Sequence, residues 1–338
     1  MPCRMIHALT LLLASLAATS CATIDFYTQA VSGQMEIIRK SKPSTPIIAN
    51  PNTDPTLRQK LRTIENIRQF ATDHLALPGH SSYDRYADLG RDHVVWVLHA
   101  AEEFSLKPKT WRYPLLGELD YRGYFKKEDT LALATQLREQ GYDVHSGGVT
   151  AYSTLGWFHD PVLNTFVRDA DTDLAELLFH ELTHRRLFRR GQTMFNESMA
   201  NAIAEEGVKR WLAHQGRTTE LKNYEARLVR RMQFYQQIDT TRKRLDALYQ
   251  SSIPDPEKRR RKAAIFADLK SSFLDLRRQW GGRGLESWIH GDLNNAHLVA
   301  TLTYHEHIPT FKSLLAECDG DFEQFFRKAK HFKLPENP

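Results

Sequence analysis

Residues 180–184 read His180-Glu181-Leu182-Thr183-His184, and Asn196-Glu197 follow twelve residues after His184. On an α-helix, side chains four apart share a face, so both imidazoles can reach one ion while Glu181, one residue round, faces a water beside it. The flanks favour a helix. Leu174, Leu177, Leu178 and Phe188 recur at helical spacing, Asp171 or Asp173 can cap the start, and Arg185, Arg186, Arg189 and Arg190 before Gly191 read as a basic last turn and stop. A second helix is expected from about Met194 through Ala200, Ile203, Ala204, Val208 and Trp211. The short turn makes the pair antiparallel. With a rise of roughly 1.5 Å per residue, His184 lies about 9 Å before the end of the first helix and Glu197 about 6 Å into the second. The Glu197 carboxylate can therefore meet both histidines, which gives the metal-ligand set His180, His184 and Glu197.

Composition sets the frame for this pair. A chain of 338 residues suits one large or two modest domains, and 41% hydrophobic content is enough for a real core. Against 46 Lys and Arg stand 41 Asp and Glu, a formal net charge of +5. That is mildly basic, no nucleic-acid motif accompanies it, and nucleic acid is excluded as a partner.

The first twenty residues read as a processing segment. Arg4 supplies a positive start, Ile6 to Ala18 an apolar run too short to span a bilayer, and Ala18-Thr19-Ser20 the small residues before a cut at Cys21. This resembles a bacterial lipoprotein signal, with Ala18 where leucine is commoner. Cys21 would then be lipidated and become the mature N-terminus, and Ala22 after it resembles sorting to the outer membrane. An ordinary secretory peptide is the alternative; either way the chain leaves the cytoplasm. With Cys3 removed and Cys21 acylated, only Cys318 remains, so no intramolecular disulfide is expected.

From Ile24 to Arg39 the spacing of Phe26, Tyr27, Val31, Met35 and Ile38 predicts an amphipathic helix, and after a proline-bearing loop Leu57, Leu61, Ile64, Ile67, Phe70 and Leu75 predict a second. Strands are expected at 93–99 and 121–125, a helix at 127–140, and a further strand from Val149 to Phe158 after Gly147-Gly148. An exposed edge there would let Ala151, Tyr152 and Ser153 hold an extended peptide; an internal strand is the bland alternative.

Beyond the second metal helix the chain turns arginine-rich. Residues 221–250 and 257–280 predict a hairpin of two long helices, with Leu269, Phe273, Leu276 and Trp280 as its seam. Its tip carries Lys258-Arg259-Arg260-Arg261-Lys262, either a solvated face or a contact for anionic headgroups. A C-terminal unit contains His297, Tyr304, His305 and His307, and Tyr304 is the first candidate to stabilise an oxyanion.

The residues 151–158 with Asp160-Pro161, the H-E-x-x-H at 180–184, Phe195-Asn196-Glu197 and Asn294-Asn295-Ala296 together resemble the putative aminopeptidase family of Gram-negative bacterial lipoproteins. Leu75 to Pro78, Tyr83 to Arg91 and Tyr121 to Phe125 extend the likeness over most of the mature chain. Relatives tend to carry cysteines near the 111–119 turn, where Arg112 and Glu118 stand here. Leu187 and Arg190 occupy positions where a metzincin needs Gly and His; the Asn-Glu pair resembles the glutamate zincins instead. Asn201 replaces their aspartate as a partner for a ligand histidine.

The resemblance implies an α+β fold. A zincin-like core at 79–216 would follow a signal at 1–20 and packing helices at 21–78, with the hairpin at 217–282 and a C-terminal helical unit at 283–338. The implied chemistry is Zn2+ on His180, His184 and Glu197, with Glu181 as general base in peptide hydrolysis. A free substrate ammonium would need a carboxylate, for which Asp160 and the Glu102-Glu103 pair are candidates. The expected protein is an aminopeptidase anchored in the periplasm, its partners a peptide or protein substrate and, through the lipid anchor, the membrane. The alternatives are an envelope endopeptidase, a non-catalytic zinc-stabilised lipoprotein binding an envelope protein through its hairpin, and a membrane-surface module using the 258–262 tip.

Overall fold

The computed structural model describes residues 26–113, 117–151, 154, 159–302 and 307–334, and begins with a helix over 26–40 (α1). The strand Lys42–Pro43 (β1) and helix Ser44–Ala49 (α2) lead into the long helix Pro55–Leu75 (α3). Asp54 caps α3, its carboxylate accepting from the Leu57 N–H at 2.8 Å. At helical spacing α3 turns Leu61, Ile64, Ile67, Phe70 and Leu75 into the core.

Strands then predominate: Arg85–Ala87 (β2), Val95–Glu102 (β3), Trp111–Tyr113 (β4), Gly117–Leu119 (β5) and Arg122–Tyr124 (β6), followed by helix Lys127–Glu139 (α4) and strands Tyr142–Val149 (β7) and Val162–Leu163 (β8). The principal sheet has the order β6-β3-β7, with β3 antiparallel to both neighbours and Val97 opposite Gly123 on one side and Gly147 on the other. Small sheets β1-β2-β8 and β4-β5 accompany it.

The remainder is helical: Asp171–Arg186 (α5), Thr193–His214 (α6), Thr218–Gln250 (α7), Asp255–Gln279 (α8), Glu286–His290 (α9), Asn295–Leu302 (α10), Ile308–Ala316 (α11) and Phe322–Ala329 (α12). The fold is mixed α+β, mostly helical with small sheets. The main core gathers Phe70, Phe179, Phe195, Trp211, Phe311 and Phe325 from α3, α5, α6, α11 and α12. A second cluster fills the α7–α8 hairpin around Ile238, Leu245, Leu269 and Phe273, with Leu298 of α10 against it. The third lies between α4 and the sheet. Burying these large side chains supplies the driving force, and Cys318, the cysteine among the described residues, is free and buried.

Three expectations need correction. The first metal helix stops at Arg186 rather than Arg190, and Phe188, expected inside, is 45% exposed. The strand expected from Val149 is instead β7, which ends there; Gly147 and Gly148 lie within it, and a Cβ on Gly148 would come within 2.3 Å of the His93 ring, so glycine answers a close approach. Ala151 follows that strand, while Tyr152, Ser153 and 155–158 lie outside the described residues. The expected apolar stripe of α1 turns outward at Val31, Met35 and Ile38, and Ile37 takes the inward place.

At the hairpin tip the solvated-face alternative fits, with the Arg259, Arg260 and Arg261 side chains 54%, 73% and 55% exposed. The basic run is fastened to the sheet: Arg259 pairs with Glu103 at 2.7 Å, and Lys262 reaches Asp143 at 2.5 Å and the Glu103 carbonyl at 2.7 Å. Arg260 and Arg261 share Glu257. Asn295 locks the same corner, its amide donating to the carbonyls of Glu102, Glu103 and Ser105 at 3.0–3.1 Å and its carbonyl accepting from the Tyr249 hydroxyl at 2.7 Å. Ion pairs within the chain thus hold the run in place while its arginines face solvent.

Candidate metal centre

The α5–α6 pair brings the expected ligands together. His180 and His184 stand one turn apart on α5, and Glu197 lies one turn into α6; one ligand atom from each lies within 4.8 Å of the others. The separations are 3.0 Å between the two Nε2 atoms, 3.3 Å from His180 Nε2 to Glu197 Oε2, and 3.5 Å from His184 Nε2 to Glu197 Oε1. Tetrahedral ligands held at ~2.0–2.2 Å from one ion would be spaced by about 3.3–3.5 Å, so this triangle fits a transition-metal ion. The close nitrogen pair is satisfied only by a proton or a cation between the rings. Among the described residues this is the one group of three or more His, Cys, Asp or Glu side chains able to hold a metal ion.

Electrostatics support the same reading. Burial alone would raise the Glu197 carboxyl, but hydrogen bonds from both imidazoles outweigh it and hold the group at about 2. Burial alone would lower His180; its bond to Glu197 and the charges of Glu181 and Glu197 carry it above the ordinary histidine range. The site is thus a fixed negative charge facing two nitrogen ligands. Asn201, one turn beyond Glu197, places Oδ1 3.0 Å from His180 Nδ1 and sets the tautomer that leaves Nε2 for a metal. His184 is 4% exposed, and its Nδ1 has no hydrogen-bond partner among the described residues.

Two residues have roles that the sequence did not reveal. Asn196, 1% exposed, accepts from the Arg189 N–H at 2.8 Å and donates to the Arg189 carbonyl at 2.7 Å. This clamp fixes the turn between the helices, and Arg189 also lies 3.8 Å over the Phe195 ring. Both contacts determine where α6 begins and hence where Glu197 points. They also explain the early end of α5, since the Arg189 backbone groups are bonded to a side chain instead of continuing a helix.

The second is Tyr83, buried at 4% and held at φ 61°. Burial pushes its hydroxyl well above the ordinary range, and the nearby charges of Glu181 and Asp160 push further, so it stays neutral beside the carboxylate of the motif. No sequence signal marked it beyond its place in the 83–91 likeness. Asp160, proposed from sequence as an ammonium partner, is 3% exposed and accepts from the Thr154 hydroxyl at 2.8 Å and the Thr154 N–H at 3.1 Å. Its carbonyl also accepts from the Tyr83 N–H at 2.8 Å. Burial nonetheless keeps its carboxyl above the usual range. Of the Glu102-Glu103 pair, Glu103 is taken by Arg259 and Glu102 is exposed at the end of β3, while Tyr304 and Cys21 lie outside the described residues.

No curated protein and no solved structure matches the chain. A sequence profile described as putative aminopeptidase matches residues 25–337. Matched over nearly its whole length, the chain belongs to the putative aminopeptidase family, and peptidase activity is what that family suggests for it.

Proposed function

We propose that this chain is a zinc-dependent peptidase with a zincin-like core, acting as an aminopeptidase tethered in the bacterial envelope. One observation carries the reading: His180, His184 and Glu197 converge from two helices within 4.8 Å, with Glu181 beside them on α5. When bound there, zinc supplies Lewis acidity that lowers the pKa of water toward about 7 and polarises a carbonyl. Glu181 is the base that takes the proton of the attacking water and returns it to the leaving amine, with no covalent intermediate. Asn201 orients His180, and the neutral Tyr83 hydroxyl lies in the field of Glu181 without adding charge. Tyr304 keeps its proposed role at the oxyanion on sequence grounds alone.

Substrate binding follows from the sheet. β7 pairs with β3 alone among the described strands, so an extended peptide laid along its outer side beyond Val144, whose carbonyl accepts from the Asn294 amide at 3.2 Å, would bond main chain to main chain without sequence readout. Ala151 follows β7, and Tyr152 and Ser153 keep their proposed role on sequence grounds alone. The envelope assignment rests on the 1–20 signal and Cys21; no helix among the described residues is long and apolar enough to cross a membrane. Tethering to the outer membrane and a periplasmic location complete the proposal.

A second reading has an observation behind it. Asp160 is bonded to Thr154 and Glu103 to Arg259, so two of the three carboxylates expected to grip a free ammonium are already engaged, which favours an endopeptidase. Glu181→Gln tests the enzyme, and paired peptides with free and blocked N-termini separate the two actions. The proposal expects one zinc per chain in both proteins, with cleavage falling by roughly 10²-fold or more in the variant. Wild type that carries full zinc yet releases no product from a broad peptide library would replace it with a zinc-stabilised, partner-binding lipoprotein.

A further inference from the structure

We infer that α1 lies on the bilayer surface, its outward stripe of Val31, Met35 and Ile38 seated among lipid acyl chains. The inference rests on the tethered reading for the distance to the membrane. Both faces of the helix are accounted for. Inward, the Gln29 amide oxygen accepts from the Phe125 N–H at 3.0 Å, Gly33 lies so close to the Phe125 ring that a Cβ would come within 2.2 Å, Glu36 pairs with Arg91 at 2.8 Å, and Lys40 donates to the Leu89 carbonyl at 3.0 Å. Ile37 is 2% exposed on the same side. Helix α1 is therefore docked firmly.

At about 100° per residue, the direction shared by Val31, Met35 and Ile38 is about 180° from that of Gln29, Gly33, Glu36 and Lys40. Those three side chains are 63%, 55% and 40% exposed, which concentrates three of the chain's large exposed apolar residues on one fifteen-residue element over 26–40. A rigid helix with its polar contacts turned inward and its aliphatic stripe turned outward is the reverse of a surface helix in water.

The position of Cys21 identifies the occupant. Five residue steps separate it from Phe26, and at no more than ~3.6 Å each they reach about 18 Å. An acyl chain on Cys21 thus holds α1, a rod of about 22 Å, within its own length of the lipid. Exposed Arg39 and Lys42 adjoin the stripe, placed to meet anionic headgroups while the aliphatic side chains enter the interface. Docking here would fix the orientation of the body that a flexible tether alone leaves free.

The test places a nitrobenzoxadiazole label on Met35→Cys in the acylated chain; Cys318 is buried and Cys21 blocked, so the new thiol is the reactive one. Val229→Cys on α7, where Val229 is 57% exposed, is the control. With phosphatidylethanolamine–phosphatidylglycerol vesicles, iodide should quench position 35 at least about threefold less than position 229, and doxyl-labelled lipid should quench position 35 alone. Equal iodide quenching with no doxyl effect overturns the inference, as does shielding of position 35 that rises with protein concentration in the absence of vesicles, which would seat a second copy there. Mass spectrometry of Cys21 judges the tether separately. If Cys21 carries no lipid, the same chain is titrated with vesicles. Changing Val31, Met35 and Ile38 together to Ser should then weaken association roughly tenfold, and equal association, including none for either, overturns the inference.

Discussion

Asn196→Ala removes the clamp on the α5–α6 turn and tests whether that turn positions Glu197. The side chain makes two hydrogen bonds to one residue, at 2.8 Å to the Arg189 N–H and 2.7 Å to its carbonyl, from a position 1% exposed. At about 1 kcal/mol net for each bond, with part of the desolvation cost of the stranded groups added, the loss should be about 2–3 kcal/mol. The local consequence should be larger than that suggests, because Glu197 is the neighbouring residue and an outer-shell change of this kind weakens metal binding by roughly 10–100-fold. Urea unfolding of the metal-free protein reads the first quantity and chelator competition reads the second. Asn196→Asp keeps an acceptor for the Arg189 N–H and should recover part of the loss. Unchanged metal affinity in Asn196→Ala, with a folded protein, would refute the positioning argument.

Asn201→Ala releases His180 Nδ1 from its 3.0 Å partner and should weaken metal binding by roughly 10–100-fold while the fold survives; isothermal titration with zinc checks this. Arg231→Met strips a guanidinium that reaches Glu176 at 2.5 Å and Glu205 at 3.3 Å across α5, α6 and α7; because Arg227 and the Tyr224 hydroxyl still hold Glu176 at 3.1 Å and Lys312 still pairs with Glu205, it should cost about 1–2 kcal/mol in urea unfolding. Burial lowers His99 to about 4 and His297 to about 3, and lowers His145 as well. For a histidine depressed in the fold, the unfolded chain binds the extra proton, so stability is intact above about 6.5 and falls as pH drops from there toward the folded values. Unfolding measured between pH 7 and 5 should show that slope, and His297→Gln should reduce it by about one proton.

The convergence of His180, His184 and Glu197 was legible because it needs only local periodicity and a short antiparallel turn. The boundaries within that turn were not. Arg189 and Arg190 look like a helical last turn until the Asn196 side chain takes the Arg189 backbone, a contact between residues seven apart whose geometry no periodicity encodes. Helix α1 shows the same limit from another side. Its 3.6-residue spacing is plain, but spacing gives an apolar face and not what the face meets; Gly33 against Phe125 decides the inward side. Likewise the 258–262 charges read as a solvated or lipid-facing run, since their partners Glu103 and Asp143 are more than a hundred residues away. Asn294 and Asn295 entered only as part of a family likeness, although Asn295 fastens the C-terminal unit to the strand ends.

The central claim is that two imidazoles and one carboxylate hold a catalytic zinc ion. Zinc-edge anomalous diffraction from crystals of the active protein, paired with metal analysis of the same sample, tests it most directly. The account predicts one zinc per chain and a single strong peak about 2.0–2.2 Å from His180 Nε2, His184 Nε2 and a Glu197 carboxylate oxygen. A peak elsewhere, or metal-free protein that cleaves peptides unaided, would contradict it.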